Sequence, residues 1–423
     1  MQLAHVLLGS VALAAHAVGQ ASSPARDVVR SEAPLRTGFF LEERRVELGL
    51  RPGGLTANEY GACAQQRIER ARTALVFHPV GTSSDASAWI ELPPWETAPF
   101  RDVLASWNAR VPEGAGMSFE LRVAKEGAAW GPWLHVGDWG ETVPGERVLV
   151  CDGGKIDVDC FVGAESFSRV QLRARAVRAN ADTPGRIELE RVSLCVSDRF
   201  VQHDANSGPW RRAHPVQDSD EHAGCGMGSP IDLPDPWLPR GPFGNEWPAR
   251  LELPVPYRSQ KAEDPSLASR ICSPTSLAMV LAYRGVDVPT AEVARVCYDA
   301  EHAIYGNWTR AIQGAFTLGV PGYLTRFNDW KRVESWIHAG QPLVISVGVK
   351  EGQLTGAPYT TTSGHLLVLR GFDEQNDCLV NDPAAIDAEH GQLTYKRSEL
   401  ETCWLARGGT AYVLLPRPEA QAK

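Results

Sequence analysis

Ile271-Cys272-Ser273-Pro274-Thr275-Ser276-Leu277-Ala278-Met279-Val280-Leu281 is the stretch on which the reading of this chain turns. Leu277, Val280 and Leu281 fall at i, i+3 and i+4, the spacing of one helix face, and Gly285 stands where such a helix would end. Pro274 suits a first helical turn, where its missing N–H is not needed. Cys272 is thereby expected at a helix N-terminus, where unsatisfied N–H groups and the positive dipole end favour thiolate over thiol. A buried structural cysteine, or half a disulfide, would have the same local sequence, so the thiol needs partners before it implies chemistry.

Thiolate chemistry requires an acid–base group, and histidine is suited to that near neutral pH. Among 11 histidines, His365 follows Thr361-Thr362-Ser363-Gly364 and opens an apolar run, 366–369, that reads as a strand. The chain then turns through 371–377 and returns as Cys378-Leu379-Val380-Asn381-Asp382-Pro383. Paired as a hairpin, the two runs put Asp382 within about two positions of the residue facing His365. A carboxylate there would fix the imidazole tautomer and stabilise its charged form. Upstream, Gln260 in Val255-Pro256-Tyr257-Arg258-Ser259-Gln260 offers a side-chain amide that, with the Cys272 N–H, would hold an oxyanion. His302, His338 and His390 lack metal-ligand spacing, and no metal or other cofactor is expected.

Outward from these residues, helices precede strands. Thr290 is placed to cap a second helix through Val293 and Val296, and Val333, Trp336 and Ile337 mark a third that Gly340 stops. Runs 343–347, 365–369, 379–381 and 411–415 read as strands, giving an α+β domain over residues 251–418. Before it, Met117, Phe119, Leu121 and Val123 alternate with polar residues, as do Val170, Leu172, Ala174 and Ala176. Ile187-Glu188-Leu189 then shifts phase before Val192, as a bulge would cause. An all-β sandwich of jelly-roll type is expected over residues 35–199, joined by a Pro-rich linker, 200–250. Trp89, Trp95, Trp107, Trp130, Trp133 and Trp139 crowd this sandwich, either as packing or as platforms for carbohydrate contact. The acidic segment 152–159 reads as a strand-connecting turn, since it lacks the spacing of a calcium loop.

At 423 residues the chain exceeds what one core holds. A net charge of −9 provides no basic field, which excludes nucleic acid as a natural partner. No later apolar run reaches the 18 residues of a membrane span. Residues 1–20 contain an apolar run too short to cross a bilayer, with small residues around Ala15-His16-Ala17, and read as a signal peptide without the usual Lys or Arg. The mature protein is therefore expected to be secreted, periplasmic or at the cell surface. In that setting nine cysteines invite disulfides. Cys151 with Cys160, and Cys378 with Cys403, are the pairs that local context suggests, although spacing does not define connectivity.

Taken in order, Pro256-Tyr257-Arg258-Ser259-Gln260, the run from Cys272 to Leu281, Tyr305-Gly306-Asn307-Trp308, Gly364-His365-Leu366 and Asn381-Asp382-Pro383 resemble the secreted branch of cysteine-peptidase family thirty-nine, the bacteriocin-processing peptidases. The resemblance implies a papain-like fold, with Cys272 as nucleophile, His365 as base, Asp382 as orienting acid and Gln260 as oxyanion donor. It implies hydrolysis of a peptide or peptidoglycan amide through a thioester. Two departures stand out: Ser273 occupies a place where many members have Gly, and eleven residues, 261–271, separate Gln260 from Cys272. The best-known members cut double-glycine leaders inside an ABC exporter, and this chain has neither membrane helices nor a Walker A loop, so that activity is not implied. Two rivals use the same residues differently: a transpeptidase in which an amine replaces water, and a catalytically silent module that binds cell-wall polysaccharide.

Overall fold

Antiparallel pairing organises both halves of the molecule. The computed structural model describes residues 39–47, 66–70, 75–79, 89–142, 147–178, 186–202 and 248–417. The expected signal peptide and most of the expected linker lie outside them. The N-terminal strands are β1 (Phe39–Glu47), β2 (Gln66–Arg70), β3 (Leu75–Pro79), β4 (Ile90–Glu91), β5 (Trp95–Arg110), β6 (Ala115–Ala124), β7 (Leu134–Gly140), β8 (Val150–Cys151), β9 (Gly154–Asp157), β10 (Cys160–Arg178) and β11 (Ile187–Gln202). They form one sheet whose main path is β2-β3-β11-β5-β10-β6-β7. β10 pairs with β9 and β5 over its first part and with β6 and β4 over its second. By changing neighbours, the long strand encloses Phe100, Trp107, Phe119, Phe161 and Phe167 in one core.

Three sequence features acquire definite meanings here. The phase change in β11 is a bulge: pairing with β5 shifts register between Leu189 and Arg191. β5 itself shows no alternation because 102–109 are buried throughout, and a strand covered on both faces loses its polar side. Three of the tryptophans are held in a ladder with arginines. Trp89 is covered by Arg173 and Arg175, Trp133 by Arg122 and Arg173, and Trp130 by Arg122 and Arg169, at 4.3 to 4.9 Å from guanidinium to ring centroid. Rings engaged in this way brace the sheet, which is packing of the cation–π kind.

The C-terminal half begins with β12 (Leu251–Glu252) and proceeds through α1 (Cys272–Tyr283), α2 (Thr290–Cys297), α3 (Trp308–Thr317), β13 (Gly322–Arg326), α4 (Trp330–His338), β14 (Leu343–Val349), β15 (Thr362–Phe372), β16 (Cys378–Asn381), α5 (Ala388–Gly391), β17 (Gln392–Tyr395), α6 (Arg397–Cys403) and β18 (Thr410–Leu414). The strand order is β13-β18-β14-β15-β16-β17, with β12 on β15. α1 buries every residue from Ser273 to Leu281, so it is the central helix of this core. Gly285 and Gly340 adopt φ of 78° and 76° after α1 and α4, the left-handed turn that ends a helix at low cost to glycine. Thr290 does not cap α2: Pro289 holds the cap position and Thr290 is the first helical residue. α3 went unrecognised in the sequence, although Asn307 caps it through a bond from Arg310 N and its apolar face recurs at Ala311, Ile312, Ala315 and Phe316.

The expected disulfides Cys151–Cys160 and Cys378–Cys403 are not formed. Cys151 and Cys160 lie on β8 and β10 with β9 between them. Two strand spacings are about 9.5 Å, beyond the roughly 7 Å that a disulfide spans between Cα atoms. Cys378 sits in the sheet between Phe372 and Tyr395, whereas the Cys403 thiol at the end of α6 faces Gln353 O at 3.7 Å. Cys63 and Cys225 lie outside the described residues.

Residues 36–423 belong to one compact unit, and the two halves meet along β5 and α3. Gln313 of α3 bonds Ala109 twice, accepting from its N–H at 2.8 Å and donating to its carbonyl at 2.7 Å. Thr309 donates to Ala105 O, while Ser106 and Asn108 accept from the N–H groups of Leu324 and Gly322. Buried Asp159 accepts from the N–H groups of Trp308 and Thr309, satisfying two orphan donors at the N-terminus of α3. Asn307-Trp308-Thr309, which reads as a glycosylation acceptor, is thus occupied as a helix cap, with Asn307 Nδ2 also donating to Asp299. Among the described residues, no helix is long and apolar enough to cross a membrane.

Candidate active site

Cys272 is the first residue of α1, at the end of the helix whose N–H groups have no intrahelical acceptor. The His365 imidazole and the N–H groups of Ser273 and Leu366 are the neighbours that favour its thiolate. Ser276, one turn on, donates to Leu366 O at 3.0 Å, so α1 is fastened to the strand that carries the histidine. Ser273, where a glycine was the commoner expectation, is buried and bonded to the hydroxyl of Tyr412 at 2.9 Å. The serine ties the residue after Cys272 to β18.

His365 lies on β15, 6 % exposed. Pairing of β15 with β16 sets Asn381 opposite Val368, which puts Asp382 opposite Leu367, two positions from His365 on the same face. The result is a 2.8 Å bond between His365 Nε2 and Asp382 Oδ1. With Nε2 so engaged, Nδ1 is the nitrogen left for the thiol.

Asp382 is fully buried and saturated. Oδ1 also accepts from Ala384 N at 3.0 Å, and Oδ2 accepts from the hydroxyls of Tyr359 at 3.0 Å and Tyr395 at 2.8 Å. Its carbonyl accepts from Tyr257 Oη at 3.0 Å. Tyr257 passes so close to Gly391 that a Cβ there would stand 2.3 Å from the ring. Tyr359 contributes twice, because its ring packs edge-on to the His365 imidazole with centroids 4.8 Å apart. Nothing in the sequence marks Tyr359 and Tyr395, and only folding gathers them with Tyr257 around Asp382.

Opposing effects set the charges. Burial by itself pushes the His365 imidazole down, but the bond and charge of Asp382 outweigh it and carry the pKa up to about 10. Burial likewise favours the neutral Cys272 thiol, and the bond and charge of His365 overcome that and hold it below its ordinary value. Burial would raise the Asp382 carboxyl, yet His365, Ala384 N–H and Tyr395 keep it low. The combination favours a thiolate–imidazolium pair.

Gln260 is buried in the short turn before α1. Its backbone N–H donates to Pro383 O at 2.9 Å, beside Asp382, and its side-chain Nε2 donates to Ala268 O at 2.7 Å. Its Oε1 has no partner. Arg270, two residues before Cys272, braces the same segment by donating to Ala303 O at 2.5 Å and lying over the Tyr305 ring. His302 and His390 are engaged by Asp299 and Asp387, and among the described residues no cluster of metal-ligating side chains occurs.

A helix opened by Cys272 thus packs on the strand of His365, whose imidazole is bonded to Asp382. Residues 252–412 match the family model described as Peptidase_C39 like family, and residues 61–197 match that of the Peptidase C39 N-terminal domain. The chain belongs to this peptidase family. Similar solved structures include a double glycine motif protease from an AMS/PCAT transporter in complex with its leader peptide, at 21% identity over 39% of this chain and 94% of that one, with a TM-score of 0.28. A structure of infectious bursal disease virus Gt strain matches at 8% identity over 40% of this chain and 33% of that one, TM-score 0.23. A carbohydrate binding module of family 29 matches at 16% identity over 41% and 99%, TM-score 0.19. Likenesses at those scores carry no structural argument. No curated protein matches the sequence.

Proposed function

We propose that this is an exported cysteine peptidase that hydrolyses a peptide or peptidoglycan amide with Cys272 as nucleophile, His365 as acid and base, and Asp382 as the group that orients His365. The observation that carries the reading is the His365 imidazole held 2.8 Å from the buried Asp382 carboxylate, on the strand that packs against the start of the helix opened by Cys272. The Cys272 thiolate attacks the amide carbonyl carbon, and the oxygen takes the negative charge. The Cys272 N–H and the second Nε2 hydrogen of Gln260 would hold that oxygen; the first is committed to Ala268. Imidazolium gives its proton to the departing amine, leaving a thioester. His365 then takes a proton from water, whose oxygen attacks the thioester and releases the acid and the thiolate.

Contact of α1, which bears the thiol, with β15, which bears the imidazole, supports a papain-like α+β reading of residues 251–418. The neighbour exchange along β10 supports a jelly-roll-type sandwich for residues 35–199. Export rests on the signal-peptide pattern of residues 1–20. The test is incubation with a peptide library and with purified cell wall, read by mass spectrometry against Cys272→Ala. Cleavage lost in the variant is expected. Thiol-directed labelling that persists unchanged in Cys272→Ala would overturn the nucleophile, and products joined to an added amine would replace hydrolysis by transpeptidation.

A further inference from the structure

The three tyrosines around Asp382 are not equivalent. Tyr257 reaches its carbonyl, and Tyr395, fully buried on β17, reaches Oδ2. Half-buried Tyr359 touches both members of the His365–Asp382 pair. Its hydroxyl donates to Asp382 Oδ2 at 3.0 Å, and its ring stands edge-on to the His365 imidazole, with centroids 4.8 Å and planes 62° apart.

Tyr359 comes from residues 350–361, which join β14 to β15 and exceed the about 2–5 residues of a hairpin loop. The extra chain is held at defined points. Thr355 donates through N and Oγ1 to the two carboxylate oxygens of Glu399 on α6, both at 2.8 Å. Leu354 is buried, and Ala357 packs with Tyr359 against the core. Val347 faces His365 and Val349 faces Thr362, so β15 carries one residue more than β14 between these pairs, a bulge at the entry to His365. Loop and bulge together bring the ring onto the imidazole.

The chemistry gives this contact a task. His365 has to serve both Cys272 and the departing amine from one position, and a catalytic group misplaced by about 1 Å costs about 10²-fold in rate. Asp382 Oδ1 accepts from His365 and Ala384 N, whereas Oδ2 accepts from tyrosines. A carboxylate turned about its Cβ–Cγ bond loses the bond to His365, and hydroxyls on Oδ2 resist that turn. Burial and the Asp382 charge raise the pKa of the Tyr359 hydroxyl, so it remains a neutral donor at pH 7.

We propose that Tyr359 is a positioning residue, its hydroxyl keeping Asp382 Oδ1 on His365 Nε2 and its ring confining the imidazole. The catalytic consequence rests on the proposed peptidase activity, whereas the geometry can be read without turnover. Tyr359→Phe keeps the ring and removes the hydroxyl. On a peptide that the wild-type chain cleaves, this variant should lower kcat about tenfold with KM unchanged, as loss of one bond to a charged group would. Tyr359→Leu removes the ring contact as well and should lower kcat about a hundredfold. In the full chain carrying Cys272→Ala, the downfield proton resonance of the carboxylate-bonded His365 Nε2–H should be sharp with Tyr359 in place, and broadened by solvent exchange in both substitutions. Melting curves check that each variant folds. An unchanged kcat in Tyr359→Phe, a KM that rises as kcat falls, or a resonance indifferent to both substitutions would overturn the proposal. A wild-type chain that cleaves nothing would instead sink the peptidase reading, and the resonance alone would then decide for or against Tyr359.

Discussion

Asp382 is the most constrained residue of the candidate site, since each carboxylate oxygen has two donors. Tyr395→Phe removes one bond to a buried charge and should lower stability by about 1.5–3 kcal/mol, measured by urea unfolding. Asp382→Asn should reduce kcat/KM by about 10⁴, as loss of the orienting carboxylate does in triads generally. It should also move the alkaline limb of the pH profile to lower pH, because Asp382 is what raises His365 to about 10. An alkaline limb that stays in place would show that the carboxylate does not act through the imidazole. The linkage to stability has a definite sign. Asp382 is depressed from 3.8, so its contribution is present above that pH and lost as pH falls through the lower folded value. His365 is raised from 6.5, so its contribution is complete below that pH and lost as pH rises through about 10.

At the scale of elements, α3 is the piece whose position the rest of the chain decides. Burial pushes the Asp159 carboxyl up despite its bonds from Cys160, Thr309 and Trp308, so the site tolerates an uncharged acceptor better than no acceptor. Asp159→Ala should cost about 1–3 kcal/mol, and Asp159→Asn less, by thermal denaturation at pH 7. Equal losses would mean that the charge, and not the acceptor, holds the helix end. The helix is legible in its Asn307 cap and in the apolar spacing of Ala311, Ile312, Ala315 and Phe316. β5 was not legible, because its neighbours cover both of its faces and erase the polar alternation that identifies a strand. The hairpin of β15 and β16 was legible because a turn and two apolar runs fix a register, and register alone places Asp382 against His365.

For the molecule as a whole, the buried bonds from β5 to α3 and β13 predict that the described halves unfold together. Heating should give one transition, coincident by circular dichroism and tryptophan fluorescence, and two separated transitions would show that the interface is weak. Reductant should leave its midpoint where it is, since neither of the expected disulfides, Cys151–Cys160 and Cys378–Cys403, is formed. A large fall on adding dithiothreitol would mean that a cystine stabilises the chain.

Sequence by itself determined what is local: the helix with a thiol at its start, the strand opened by a histidine, the returning strand with its carboxylate, and the alternating runs of the N-terminal domain. Each rests on a period of 2 or 3.6 residues or on a cap, which neighbours along the chain suffice to specify. Tertiary structure alone decided that three tyrosines clamp Asp382, that arginines occupy tryptophan faces, and that cysteines close in sequence lie too far apart to bond. Those outcomes depend on distances between residues far apart in the chain, which no local pattern encodes.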